Sequence, residues 1–319
     1  MSKKLNVWAL ISGFDDVFTT YQDMFPQELR DKATTIYPEQ VTVGIGDGKN
    51  IQLFYQGKPM ERPDVFWPMI SNTETASLEK LLVRAGIPSI VNMREVEVAR
   101  SKVDTYQLLK TNGIPVPDSF VFFDKPDKSA IEQHFGYPFV VKPNYGFGGE
   151  GVTLIESEEE FDAFIAQAAY GQTYIAQEYI ATSRGRDVRV VLLNGEYLYS
   201  TMRKASDPQE FRSNVHVGGE LLKYPIDQET QALCARVASL FDLPLIGLDL
   251  MFGTEGFVLA EVNAFPGMYP AYMLQALNAA IEGFEASRSP GIYDDLQSSL
   301  TDMSALDSDF FENDSHQLD

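Results

Sequence analysis

Residues 246–268, IGLDLMFGTEGFVLAEVNAFPGM, constrain the fold more than any other stretch of the chain. Two short apolar runs flank a Gly-Thr-Glu-Gly turn, a pattern that predicts an antiparallel hairpin. Strand alternation sets Ile246, Leu248, Leu250 and Phe252 on one face, with Val258, Ala260 and Val262. The other face carries Asp249, Glu261 and Asn263. With the loop at 253–257, Asp249 falls directly opposite Glu261, about 5 Å apart at Cβ, and Asn263 is a diagonal neighbour. Two carboxylates and an amide oxygen converging amid apolar residues form a hard-oxygen site. Mg²⁺ takes such a site when phosphate oxygens complete its shell. The bland alternative is the wet face of a surface hairpin, although such faces usually mix in Lys and Thr. Phe265-Pro266-Gly267 then ends the second strand and brings backbone close to the site.

If phosphate is to meet that hairpin, cations and backbone N–H groups must come from elsewhere. Residues 137–155, YPFVVKPNYGFGGEGVTLI, predict a strand over Phe139–Lys142, a loop with Gly146, Gly148, Gly149 and Gly151, and a second strand from Val152. The loop contains G-x-G-x-x-G, but a dinucleotide fingerprint needs those glycines to open a helix, and no Gly-Lys-Ser/Thr follows to make a Walker loop. Two readings stand: a mobile turn, or a β-hairpin lid laying N–H groups over phosphates with Lys142 as point charge. In RSKVDTYQLLKTNGIPVP, residues 100–117, Ser101 N-caps a helix that Asn112-Gly113 ends. Lys102 therefore stands at the first turn, where the helix dipole disfavours a cation. Taken alone, it reads as a solvated lysine.

Asn194-Gly195 between Asp187–Leu193 and Glu196–Met202 predicts a two-residue hairpin turn. Around it lie Arg184, Arg186, Arg189, Arg203, Lys204 and Arg212, against Asp187, Glu196, Asp207 and Glu210. A local basic excess in a chain of net charge −21 reads as a receptor for a small anion. The same overall charge argues against nucleic acid and anionic membranes as partners. The single cysteine, Cys234, excludes an internal disulfide and falls on the apolar stripe Leu233, Cys234, Val237, Leu240, Phe241 of a helix expected at about 229–241. No run approaches the ~20 apolar residues of a membrane span, and the start is too weakly apolar for a signal peptide, so a cytoplasmic protein is expected.

Strands are expected at 5–11, 41–45, 51–55, 64–67 and 88–91, with a helix over Ser71–Ala85. Gly13 and Asp15-Asp16 follow the first strand, where α/β folds place ligand loops, and read better as an ordinary turn. TYIAQEYI, 173–180, is a strand, and 271–286 a closing helix. His134, His216 and His316 are too scattered for a metal triad. The fold class is α/β with α+β lobes. Four regions are expected: an N-terminal α/β unit (1–95), a central lobe carrying the Gly-rich lid (96–181), a C-terminal lobe with the metal site (182–287), and a disordered acidic tail (288–319).

Seven pieces in order resemble the ATP-grasp superfamily, in the RimK-like branch of the ribosomal-protein-S6 glutamate ligase. They are Lys102 after Arg-Ser, VVKP around Lys142, the Gly-rich hairpin, QEYI, RDVRV, FRSN-x-H-x-GG, and GLDL with EVN-x-x-PG. The resemblance covers about residues 95–283 and implies an ATP-grasp fold, preceded by a small α/β domain, gripping ATP between two lobes. It implies that Lys102 and Lys142 hold phosphates under Gly148 and Gly149. Gln177, Glu178, Tyr179 and Ile180 then line the adenine site, with Asp187 near the ribose. Arg203, Arg212 and Asn214 act at the transferring phosphate, and Asp249, Glu261 and Asn263 bind two Mg²⁺ ions, with Mn²⁺ as a substitute. The implied chemistry is carboxylate–amine ligation through an acyl phosphate. It joins a glutamate-like amino acid to a carboxylate-bearing peptide, protein tail or metabolite, in a chain compatible with a homo-oligomer.

Two departures bear on the substrate. The first ~95 residues match nothing in that ligase, and Val217 stands where Arg is expected between His216 and Gly218, weakening an anionic subsite. A nucleotide-binding regulatory protein without catalysis is the competing reading. Retention of Asp249, Glu261, Asn263, Arg203 and Arg212 favours the enzyme. The FRSN-x-H segment argues against a ligase of the D-alanine–D-alanine type.

Overall fold

A computed structural model of the 319-residue chain describes residues 5–11, 27–47, 50–70, 73–124, 126–146, 148–207, 209–213, 220–266 and 270–287. The expected turn at Gly13, the residues Asn214, His216 and Val217, and the acidic tail all lie outside these.

The N-terminal part comprises β1 (Val7–Ile11), α1 (Gln27–Lys32), β2 (Ala33–Ile36), β3 (Val41–Ile45), β4 (Ile51–Tyr55), β5 (Lys58–Met60), β6 (Val65–Ile70), α2 (Thr73–Arg84) and α3 (Met93–Arg100). β1 is the centre of a parallel sheet, β2-β1-β6. Its run VWALI is buried throughout because both faces are covered. Trp8 and Leu10 pack with Leu53, Leu78 and Leu82, whereas Val7, Ala9 and Ile11 join the main core. β3, β4 and β5 form a separate antiparallel sheet. The strand expected at 88–91 does not form. Only an isolated bridge joins Phe66 to Ser89, and Pro88 has no N–H to extend it. The helix expected from Ser71 spans Thr73–Arg84, with Ser71 and Asn72 outside the described residues. β2, β5, α1 and α3 are too short or too polar to carry a periodic signal.

The central part runs through α4 (Lys102–Thr111), β7 (Ser119–Phe123), α5 (Lys128–Phe135), β8 (Phe139–Pro143), β9 (Thr153–Ile155), α6 (Glu158–Gln167) and β10 (Thr173–Glu178). Its antiparallel sheet has the order β7-β10-β8-β9. One face, with Phe122, Phe139, Val141, Ile155, Tyr174 and Ala176, packs on Ile131 and Phe161 of the two helices. The alternate residues Lys142, Ile175 and Gln177 face the other way. β8 and β9 are the two strands expected on either side of the Gly-rich loop.

The C-terminal part holds β11 (Arg186–Leu193), β12 (Glu196–Lys204), β13 (Glu220–Lys223), α7 (Gln228–Ala238), β14 (Leu245–Phe252), β15 (Phe257–Asn263) and α8 (Pro270–Ser287). The sheet order is β13-β12-β11-β14-β15, all antiparallel. Asn194 and Gly195 both take positive φ, 52° and 80°, as a primed two-residue turn requires. Cys234 is fully buried in α7, and burial pushes its thiol up to about 12. Val188, Val190, Leu248, Leu250 and Val262 bury the inner face of the sheet in the main core, together with Ala276, Leu277 and Phe284 of α8.

The β14–β15 hairpin has Asp249 directly opposite Glu261, as its alternation predicts. Two placements fail: Val258 pairs with Met251 instead of sharing the face of Leu250 and Phe252, and Ala260 does not share the apolar face either. The register slips between Asp249 and Leu250, so Leu250 pairs with Leu259, and Leu259 takes the buried place. The bulge leaves Ala260 and Glu261 both bordering the cleft described below. Gly247 has a reason that its strand pattern hides. A Cβ there would stand 2.4 Å from Pro266 Cβ, so only glycine lets Phe265-Pro266 fold back across the strand. No helix among the described residues is long and apolar enough to cross a membrane.

Candidate active site

The floor of the cleft is a row of charge across adjacent strands. Asp187 on β11 is opposite Arg203 on β12, Arg189 on β11 is opposite Asp249 on β14, and Asp249 is opposite Glu261 on β15. Arg203 Nε donates to Asp187 Oδ1 at 2.7 Å, and its Nη2 reaches Asp249 Oδ2 at 2.8 Å. Arg189 grips the same carboxylate in a fork, Nε to Oδ1 and Nη2 to Oδ2, both 2.7 Å. Asp187, Arg203 and Asp249 are buried. Burial alone would raise the Asp249 carboxyl, but the guanidiniums of Arg189 and Arg203 outweigh it and hold it well below the usual range.

The opposite wall carries the two lysines. Ser101 Oγ caps α4 by accepting from Asp104 N–H at 3.3 Å. Lys102, at the first turn, is buried rather than solvated. Its Nζ lies 3.2 Å from Glu261 Oε1 and donates to Gly146 O at 2.9 Å, which offsets the unfavourable dipole. Lys142 on β8 is buried and donates to Tyr106 Oη at 2.6 Å; Tyr106 in turn donates to Ala260 O at 2.6 Å. No carboxylate pairs with Lys142 among the described residues. Burial therefore pulls its ammonium down to about 8, with Glu261 opposing in part.

Between them runs the Gly-rich loop. Gly146, Gly148, Gly149 and Gly151 have φ of 150°, 66°, 80° and 70°, which explains four glycines in six residues. Asn144 anchors its start: Oδ1 accepts from Val103 N–H at 2.9 Å, fixing the loop to the helix that presents Lys102. The far side is held by Arg212, whose Nη1 donates to Gly149 O at 3.1 Å while its Nη2 pairs with Glu210 at 2.8 Å.

One cleft gathers Lys102, Lys142, Gly149, Gln177, Glu178, Tyr179, Ile180, Asp187, Arg203, Arg212, Asp249 and Glu261. Twelve of the fifteen residues expected from the sequence thus meet in it. Gly148 is in the covering loop but off the lining, Asn263 is two residues beyond Glu261, and Asn214 lies outside the described residues. Sequence reasoning missed Tyr106, Asn144 and the role of Arg189. Tyr106 and Asn144 act through contacts more than 30 residues away in the chain, and Arg189 stood only as one of a basic cluster. Val140, Ile180, Phe211 and Met251 add apolar surface to the lining of the cleft.

Whether the hairpin suits a divalent cation turns on its donors. Among the described residues no three His, Cys, Asp or Glu side chains gather as a metal cluster. The set here is two carboxylates and an amide, all hard oxygen donors. Asn263 Nδ2 is buried without a hydrogen-bond partner, and an Asn amide turned by half a rotation presents Oδ1 instead. The residues fit the ion, on condition that Asp249 and Glu261 exchange their present cationic partners.

Comparison with known proteins identifies the family. The family model for a RimK-like ATP-grasp domain matches residues 99–286. A probable alpha-L-glutamate ligase of Serratia proteamaculans (strain 568) is 32% identical over 252 residues, covering 75% of this chain and 82% of its own length. Among solved structures, D-alanyl-alanine synthetase A of Vibrio cholerae has a TM-score of 0.65 at 17% identity, covering 89% of this chain and 99% of its own. The ATP-grasp ligase PsnB complexed with minimal precursor has a TM-score of 0.57 at 21% identity, covering 88% and 100%. These two speak for the fold alone. With the family model spanning more than half of its length, the chain belongs to the RimK-like ATP-grasp family of carboxylate–amine ligases.

Proposed function

We propose that the cleft activates a substrate carboxylate with ATP as an acyl phosphate and passes the acyl group to the amine of an amino acid. A carboxylate oxygen attacks the γ-phosphorus and ADP leaves; the amine nitrogen then attacks the acyl carbon and inorganic phosphate leaves. The observation that carries this reading is Lys142, a buried ammonium without a carboxylate partner, beside a loop of glycines able to offer N–H groups. A buried cation so placed is completed by an incoming anion.

In this reading Lys102 and Lys142 hold the phosphates beneath Gly148 and Gly149, and Gln177, Glu178, Tyr179 and Ile180 take the base. Asp187 meets the ribose. Arg203, Arg212 and Asn214 neutralise charge at the transferring phosphate. Asp249, Glu261 and Asn263 hold two Mg²⁺ ions, which supply Lewis-acid charge neutralisation when bound. The lobes 96–181 and 182–287 close over the nucleotide. No protein nucleophile is needed, which suits a cleft without a Ser-His or Cys-His pair among the described residues.

The amine donor we propose is a glutamate-like amino acid and the acceptor a peptide or protein carboxylate. Relatives bear the name probable alpha-L-glutamate ligase, and PsnB was solved with a precursor. Release of ADP across a matrix of amino acids and carboxylate acceptors tests this. ADP should appear only when an acceptor is present, and product only when both substrates are. ATP binding without ADP release for any pair would leave a nucleotide-binding protein instead.

A further inference from the structure

Among the described residues the charged side chains of the cleft floor, Asp187, Arg189, Arg203, Asp249 and Glu261, are all paired, whereas Lys142 on the facing wall meets no carboxylate, and the pairs cross from one proposed function to the other. Glu261, a metal carboxylate, pairs with Lys102, a phosphate cation, at 3.2 Å. Asp249, the other metal carboxylate, pairs with Arg203 at 2.8 Å. The remaining lone pairs of Asp249 go to the fork of Arg189, so both carboxylate oxygens are occupied. Lys102 and Arg212 also engage backbone carbonyls of the Gly-rich loop, Gly146 O and Gly149 O, in the place of phosphate oxygens.

We propose that Arg189 is a positioning residue that locks Asp249 against divalent cation until nucleotide arrives, so that metal and nucleotide enter the cleft by a coupled exchange of partners. The inference rests on the metal assignment above. Phosphate oxygens take Lys102 and Arg203 away from Glu261 and Asp249; the freed carboxylates then accept the metal. Arg189 has no phosphate of its own to draw it off, and its fork gives the lock its strength. Of the three side chains joined at Asp249 it is the least buried, with 19% of its side chain exposed against 8% for Arg203 and 4% for Asp249, and can swing out once the metal competes for the carboxylate. Such coupling is reciprocal: metal strengthens nucleotide binding by the factor by which nucleotide strengthens metal binding. A divalent cation alone meets a floor whose carboxylates are already neutralised by three cations, and gains no net attraction there.

The test is a titration with Mn²⁺ alone, read by the loss of the free-ion electron paramagnetic resonance signal, on nucleotide-free protein. Wild type should show no stoichiometric site at micromolar Mn²⁺. Arg189→Met should bind at least about tenfold tighter, and Arg189→Lys, which cannot fork, should fall between. A folded Arg189→Met with wild-type Mn²⁺ affinity overturns the proposal. So does wild type that binds Mn²⁺ stoichiometrically at micromolar concentration without nucleotide, a result that stands even if the variant fails to fold. Glu261→Ala with Mn²⁺ and a non-hydrolysable ATP analogue separates the two levels. An enzyme-bound ion retained there removes the metal assignment, and the exchange with it. An ion lost there, with Arg189→Met no tighter than wild type, removes the exchange alone.

Discussion

Raising the pH from 7 to 9 should weaken ATP binding through one side chain, Lys142. Its ammonium is buried, donates to Tyr106 Oη and is pulled down to about 8, so it titrates in the empty cleft where an ordinary lysine would not. The protonated fraction falls from about nine-tenths at pH 7 to half at pH 8 and about a tenth at pH 9. Phosphate oxygens favour the charged form, so the complex keeps its proton through this range, and ATP affinity should drop about tenfold between pH 7 and 9. At pH 8 each ATP should take up about half a proton. Isothermal titration calorimetry in two buffers of different ionisation enthalpy measures that uptake directly, at fixed saturating Mg²⁺. Lys142→Gln should abolish the uptake and bind more weakly at every pH. Stability moves oppositely. The folded value lies below the unfolded one of 10.5, so a penalty of about 3 kcal/mol is present in full below pH 8 and fades as pH rises toward 10.5. Zero proton uptake at pH 8, with affinity flat to pH 9, would refute the assignment of a buried, anion-seeking lysine.

Other expectations follow from named contacts. Glu261→Ala should keep the fold, because Glu261 is only half-buried, yet abolish ADP formation; unchanged turnover at limiting Mg²⁺ would remove it from the metal set. Replacing Gly148 and Gly149 together by Ala forces side chains into φ of 66° and 80°. That should cost the loop about 2–4 kcal/mol and raise phosphate release relative to amide product, while an unchanged rate and ratio would show a mere surface turn. Gly247→Ala puts a methyl 2.4 Å from Pro266 Cβ and should lower stability by about 1–3 kcal/mol in urea unfolding, with loss of activity as Asn263 shifts; a neutral result would mean the Phe265-Pro266 turn yields freely.

Much of the site was legible because its signals are local. Asp249 opposite Glu261 follows from a hairpin's two-residue period, and the Asn194-Gly195 turn, the Ser101 cap and the glycines of the loop each need only neighbouring residues. The length of β15's alternation was not legible. A bulge admits one extra residue without any mark in composition, and so Leu259, not Ala260, reached the core. Strand 88–91 failed for a similar reason, since apolar character does not reveal whether a neighbour has ladder positions to offer.

What the chain's order alone determined was which residue types stand at which positions of each strand and helix: carboxylates on β14 and β15, lysines on α4 and β8, arginines on β11 and β12. Their state was decided by the tertiary structure. Lys102 reads as a solvated lysine until Glu261, 159 positions on, is brought to 3.2 Å, and Lys142 as an ordinary point charge until burial pulls it to about 8. Arg189 is one basic residue among six until Asp249 fills its fork. Electrostatic interaction depends on distance and on exclusion of water, and both are properties of the packed sheets rather than of any segment within them.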